Sequence, residues 1–197
     1  MKPTSIILSA LFLLTIESCA QEIPNREDQI NAAVMAAPEE DREGAMVYGY
    51  DKKGNMVVIR EGTNNMVCLA DDPNKEGFNV ACYHKDLDPF MARGRQLRVE
   101  GKNEQEIFDI REAEAKSGAL KMPEQPTTLH ILSGSTGRYD PAENTVVDAN
   151  YRYVVYIPFA TAESTGLPTR PIVPGGPWIM DPGTHKAHIM ITPPPVD

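Results

Sequence analysis

The sequence predicts a single α+β domain, a mostly antiparallel sheet with an inserted αα-hairpin and an N-terminal helix. Three observations carry this. Short runs rich in β-branched and aromatic residues, bounded by turn formers, lie on both sides of the chain's middle. The strongest, Asn150 to Phe159, alternates Tyr151, Tyr153 and Val155 with Arg152, Val154 and Tyr156. Between the two groups the apolar period lengthens to that of helices, with two start signals and two terminal glycines, Gly101 and Gly118.

The first segment has the order of a bacterial export signal. A weakly basic Met1-Lys2 precedes an apolar run from Ile6 to Ile16, and Ser18-Cys19-Ala20-Gln21 follows. The run is too short to serve as a permanent membrane span. Two cleavage patterns overlap. Ile16-Glu17-Ser18-Cys19 reads as a loose lipobox, which ends the signal at residue 18 and makes Cys19 an acylated N-terminus. Ser18-x-Ala20 reads as an ordinary signal-peptidase site, which ends it at residue 20 and leaves Gln21 first. The expected location is the cell envelope, by lipid anchor, or the periplasm. Membrane contact is expected only through that lipid.

Residues 21–43 follow as a helix and linker, 44–192 as the α+β domain and 193–197 as a flexible tail. Asn25 caps a helix from Arg26 to Ala37 that Pro38 stops. Ala45 to Tyr50 and Met56 to Arg60 form a hairpin around Asp51-Lys52-Lys53-Gly54-Asn55. Met66 to Ala70 and Phe78 to Tyr83 are the third and fourth strands. Asp88-Pro89 opens a helix that ends at Gly101. Asn103, with Glu106 completing a capping box, opens a second that ends at Gly118. Thr127 to Leu132 is a strand, and Gly134 to Asn144 reads as a loop. Leu167 to Pro177 holds four prolines and is extended without being a central strand. Trp178 to Met180 and Ala187 to Ile191 make a last hairpin across Asp181-Pro182-Gly183-Thr184.

A formal charge of −9 over 197 residues excludes nucleic acid and anionic membrane surfaces as natural partners. The densest basic group, Arg93, Arg95 and Arg98, falls on a helix and reads as a solvated face. Cys68 and Cys82, fourteen positions apart, read as a disulfide in an oxidising compartment, with Cα atoms about 5–6 Å apart. Such a bridge contributes roughly 3 kcal/mol. A zinc reading fails because only His84 is near enough to join them.

Candidate chemistry is sparse. His185-x-x-His188 has the look of a metal pair, but residues three apart on a strand face opposite ways and no third ligand is evident beyond Asp181. Ser133-Gly134-Ser135-Thr136-Gly137 is neither a nucleophile elbow nor a phosphate loop. Asp71, Asp72, Asn74 and Glu76 are oxygen-rich without calcium-loop spacing. No metal and no cofactor is expected. Arg60-Glu61-Gly62-Thr63-Asn64 is the most motif-like polar run. It reads either as a cleft wall, with Arg60, Glu61 and Asn64 meeting a ligand, or as a turn shaped by Gly62 and Asn64. Tyr151, Tyr153, Tyr156 and Trp178 form either a binding surface or packing. Tyr153 and Trp178 join Arg60, Glu61 and Asn64 as ligand-binding candidates.

The Arg-Glu-Gly-Thr-Asn run followed by Cys68-Leu69 resembles a family of uncharacterised exported bacterial proteins. That family shows a helix ending at Ala-Ala-Pro, here Ala36 to Pro38, then a Gly-Ala-x-Val-Tyr strand, here Gly44 to Tyr48. Cys82-Tyr83, a charged helical hairpin, Leu132-Ser133 and the Ala187 to Ile191 strand follow in the same order. Asn65-Met66 replaces the Gly-aromatic pair of the pattern. The resemblance implies fold and export and carries over no site.

The functional expectation is an exported, non-catalytic module, binding or structural, whose partner is an envelope protein or a small ligand. The alternative is a hydrolase with a loop-assembled site using His130 or His188 with Asp181.

Overall fold

The computed structural model describes residues 22–194. The export segment with Cys19, and the last three residues of the tail, lie outside them. Asn25 begins helix α1 (Arg26–Val34), its side chain accepting from the Asp28 backbone N–H at 3.0 Å. The helix is shorter than the expected Ala37 end, because Met35 caps it and Val34 to Ala37 turn tightly before Pro38. A 3-10 turn at Glu39–Asp41 leads to β1 (Met46–Tyr50), which pairs antiparallel with β2 (Met56–Arg60) across the predicted loop.

β3 (Met66–Leu69) then lies parallel to β1 on the side away from β2, and β4 (Phe78–His84) runs antiparallel to β3. Cys68 and Cys82 stand directly opposite in that ladder and lie at disulfide distance, with Cα atoms 4.1 Å apart. The separation is below the expected 5–6 Å, the two residues being direct partners on adjacent antiparallel strands.

The helical hairpin follows as α2 (Asp88–Val99) and α3 (Glu104–Ser117). The α3 capping box is present as predicted, with Asn103 accepting from Glu106 N–H at 3.0 Å and Glu106 accepting from Asn103 N–H at 2.9 Å. Asp88 is not the cap of α2 but its first residue; a 3-10 turn at Lys85–Leu87 runs straight into it. Asp88 instead accepts from the Tyr83 hydroxyl at 2.7 Å and Arg95 at 3.1 Å, which latches α2 onto the sheet.

Of the three arginines expected on a solvated face, Arg98 is exposed as expected, whereas Arg93 and Arg95 are partly buried and engaged. Arg93 grips Glu114 of α3 with bonds of 2.7–3.1 Å, and Arg98 pairs with Glu104. Arg95 donates to Tyr83 and stacks over Tyr48. They tie the two helices to one another and to the sheet.

β5 (Thr127–Gly134) adds next to β4, and β6 (Arg138–Asp140), inside the segment read as a loop, pairs in a small ladder with β7 (Thr145–Val147) just beyond it. β8 (Asn150–Tyr156), the one-turn helix α4 (Ala162–Thr165), β9 (Trp178–Met180) and β10 (His188–Ile191) complete the chain. The main sheet is eight-stranded in the order β2-β1-β3-β4-β5-β8-β10-β9, antiparallel except at β1–β3. This is the α+β class predicted.

Alternation along the strands divides the molecule into two cores. Val47, Cys68, Val80, Cys82 and Leu132 pack under α1, with Tyr139 and Val146 of the small ladder beside them. Val67, Tyr83, Leu129, Val154 and Tyr156 face the other way, against Leu87, Phe90 and Leu120. The α1 segment is thus part of the core; Ala33 is fully buried, and its carbonyl lies 3.2 Å from the Cys82 sulfur.

Candidate functional site

The helical hairpin covers only part of its sheet face. Register fixes what lies uncovered. Trp178 pairs with Met190 and Met190 with Val154, so these three share a row on the hairpin side. Arg152 pairs with Ile131 in the next row, and Ser133 with Asn150 in the one after. Arg152, Trp178, Met180, Met190, Asn150 and Ser133 line a groove of about 510 Å³ there. That volume is within the range of small-molecule sites. Arg152 is exposed, and its one hydrogen bond among the described residues is a long one of 3.5 Å to the Ser133 hydroxyl. Trp178 is half-buried.

Tyr153 does not join Trp178. It lies on the α1 side of the sheet, stacked on Tyr151 at 6.0 Å, and the Tyr151 hydroxyl donates to the Met35 carbonyl at 2.7 Å. Tyr156 packs on Phe90 on the hairpin side. The four aromatics therefore divide between the two faces; Trp178 and Tyr151 border the groove, and Tyr153 and Tyr156 do not.

The histidines divide in the same way. His130 pairs with Tyr153 and meets its ring edge-on, whereas His188 pairs with Tyr156 on the opposite face. His188 is buried and its Nδ1 donates to the Lys186 carbonyl at 2.7 Å. Asp181, in the β9–β10 loop, pairs with Lys186 at 3.5 Å. His130 and His188 share no cleft; Asp181 lies near enough to His188 to act on it through its charge, but among the described residues no hydrogen bond joins Asp181 to either ring.

A part-buried carboxylate–histidine pair does form, between His185 and Glu112, a glutamate that sequence reasoning did not mark. Glu112 accepts from the His185 backbone N–H at 2.8 Å and from its Nδ1 at 2.6 Å, while Lys116 holds the other oxygen at 2.6 Å. Burial works against the charge, but the bonds from Lys116 and from the His185 backbone and ring outweigh it and hold the carboxyl at about 2. His185 itself is fully buried, its ring edge-on to both Phe90 and Phe108, and burial pushes its pKa down. In the neutral ring Nδ1–H donates to Glu112 and Nε2 is left without a partner. A general base would have that arrangement, but no substrate reaches an enclosed nitrogen. The pair instead docks the β9–β10 loop onto α3.

Arg60 and Asn64 act inside the fold. Arg60 donates to the carbonyls of Ala45 and Arg42 at 2.9 and 2.6 Å. Asn64 donates to the Asp41 carbonyl at 2.7 Å and accepts from Met66 N–H at 2.9 Å. Gly62 passes so close to β1 that a Cβ would lie 2.6 Å from the Met46 nitrogen. The motif clamps the linker against β1–β3, which is its structural reading, and Glu61 is exposed beside it.

A second cavity of about 280 Å³ lies between the start of α1 and residues 137–141, over Phe78. Its polar groups are engaged internally. Gln29 bonds Pro24 and Tyr50, Arg138 pairs with Asp148, and the Tyr139 hydroxyl donates to Asn144. Asp71 accepts from Asn79 N–H at 2.8 Å, and Asp72 from Asn74, so the oxygen-rich loop is a self-bonded turn. Among the described residues no group of three or more His, Cys, Asp or Glu is placed to hold a metal ion, and no helix is long and apolar enough to cross a membrane.

Comparison with protein-family models, with curated proteins and with solved structures found no match.

Proposed function

We propose that this chain is an exported, non-catalytic binding module whose ligand seats in the groove of Trp178 and Arg152. The observation that carries it is the uncovered sheet face beyond the helical hairpin. There an indole, two methionines and a guanidinium without a carboxylate partner among the described residues line one concavity. The separation of His130 from His188 across the sheet, and the enclosure of His185, weigh against the hydrolase alternative. Export belongs to the same proposal and rests on the Met1–Gln21 pattern and on the resemblance to exported bacterial proteins. The disulfide geometry of Cys68 and Cys82 suits an oxidising compartment.

Two measurements test this. Screening the isotope-labelled protein against a library of small organic molecules should give amide shift changes concentrated at 150–152, 178–180 and 190–192. Hits that map elsewhere, or turnover of ester, glycoside or peptide substrates, would overturn the reading. Mass spectrometry of the protein from its native envelope should find an acylated Cys19 or a free Gln21 at the N-terminus. A retained Met1 rules out cleavage at either site.

A further inference from the structure

We infer that the groove takes a small monocarboxylate with a flat apolar body, the carboxylate on Arg152 and the body on Trp178; this rests on the binding reading above. Register supplies the spacing. Trp178 is two strands from β8 and Arg152 is one two-residue step along it from Val154, the residue in Trp178's row. With strands ~4.8 Å apart and ~3.4 Å of rise per residue, their Cα atoms are about 12 Å apart. Both side chains line the same groove, so the gap between the indole and the guanidinium is bridged by a molecule with an anion at one end and a ring at the other.

The charge class follows from what surrounds Arg152. Its guanidinium can take a carboxylate through two parallel N–H donors, and the Asn150 amide and Ser133 hydroxyl lie beside it. One cation neutralises one negative charge. The chain as a whole carries −9, and that field opposes a doubly charged anion such as a phosphate monoester. An ammonium ligand would meet Arg152 with like charge. Met190 and Met180 flank the indole and supply a deformable apolar wall for the body of the ligand.

The groove contains its own reporter, because Trp178 is the single tryptophan of the chain. Its emission is to be followed while the full-length mature protein is titrated with 3-phenylpropionate, with the neutral amide of that acid, and with 2-phenylethylamine. The carboxylate should give a saturable change that weakens as salt rises. The amide should bind at least tenfold more weakly and the amine not at all. Arg152→Gln, at an exposed position, should reduce carboxylate binding to the level of the amide, while Arg138→Gln, at the other cavity, should leave it unchanged. Equal binding of acid and amide, or an unaltered Arg152→Gln variant, overturns the charge assignment while groove binding itself stands. If no member of the panel changes the emission, the carboxylate inference falls. Groove binding falls with it only if the amide-shift screen is also empty.

Discussion

Glu112 is where one side chain decides most. It accepts two bonds from His185, a residue 73 positions away, and so holds the β9–β10 loop on α3. Glu112→Gln keeps the size but loses the charge, and one amide oxygen cannot serve both His185 donors and Lys116. The expected cost is about 1–3 kcal/mol, read as a lower urea midpoint at unchanged slope. Lys116 is 63% exposed, so Lys116→Met should cost under about 0.5 kcal/mol. Equal losses in the two variants would place the energy in the surface pair and refute the docking role. No pattern in the sequence announces this contact, since a histidine and a glutamate so far apart are joined only by the fold. Arg60 and Asn64 are the opposite case. Glycine and asparagine in a short polar run between strands mark a turn, and a turn is what they form.

Elements were legible where their signals are local. The α3 cap is the clearest, because Asn103 and Glu106 satisfy each other's backbone donors within a single turn. Asn103→Ala should cost about 1 kcal/mol and lower the thermal midpoint; a midpoint unchanged within error would mean that α2 packing, not the cap, holds the start of α3. The α2 start departs from its local pattern for a physical reason. Asp88-Pro89 has the right residues for a cap, but the 3-10 turn at Lys85–Leu87 shifts the helix start by one residue, and the Asp88 side chain is claimed by Tyr83 on β4 and by Arg95 two turns on. The β6–β7 ladder escaped because strands of three residues are too short to show a period. Arg93 and Arg95 depart from a solvated face because Glu114 meets Arg93 only when α2 folds back on α3, and Tyr83 meets Arg95 only when α2 packs on the sheet; Arg98 stays exposed beside Glu104. The groove was half visible for the same reason. Trp178 stood out as an aromatic, whereas Arg152 gained meaning only from the register that sets both on the uncovered side of the sheet.

At the scale of the molecule, packing a sheet on both faces leaves three histidines partly or wholly enclosed, and this sets the response to acid. Burial lowers the pKa of His130, of His185 and of His188, each only partly offset by neighbouring acceptors or carboxylates. In the unfolded chain these rings titrate near 6.5. Below that pH the unfolded state takes up protons that the folded state resists, so the stability present above about 6.5 is lost as pH falls towards the lowered folded values. Glu112 acts in the same direction at lower pH. Its folded value of about 2 lies beneath the ordinary glutamate range, so its contribution is complete above about 4.5 and is lost between there and 2. Asp71 opposes this, since burial raises its pKa and protonation relieves its desolvation. One carboxyl does not cancel three histidines, and the net expectation is a urea midpoint that declines from pH 7 to pH 5 and again below pH 4.5. Each histidine adds up to about 1.4 kcal/mol per pH unit to the first decline. His188→Gln should make that first phase shallower, with His130 and His185 still contributing, and leave the second, because its Nδ1 bond to Lys186 can be made by an amide that does not titrate. A midpoint that holds level or rises between pH 7 and pH 5 would mean that relief of the −9 charge outweighs the buried rings, and the sign argued here would be wrong.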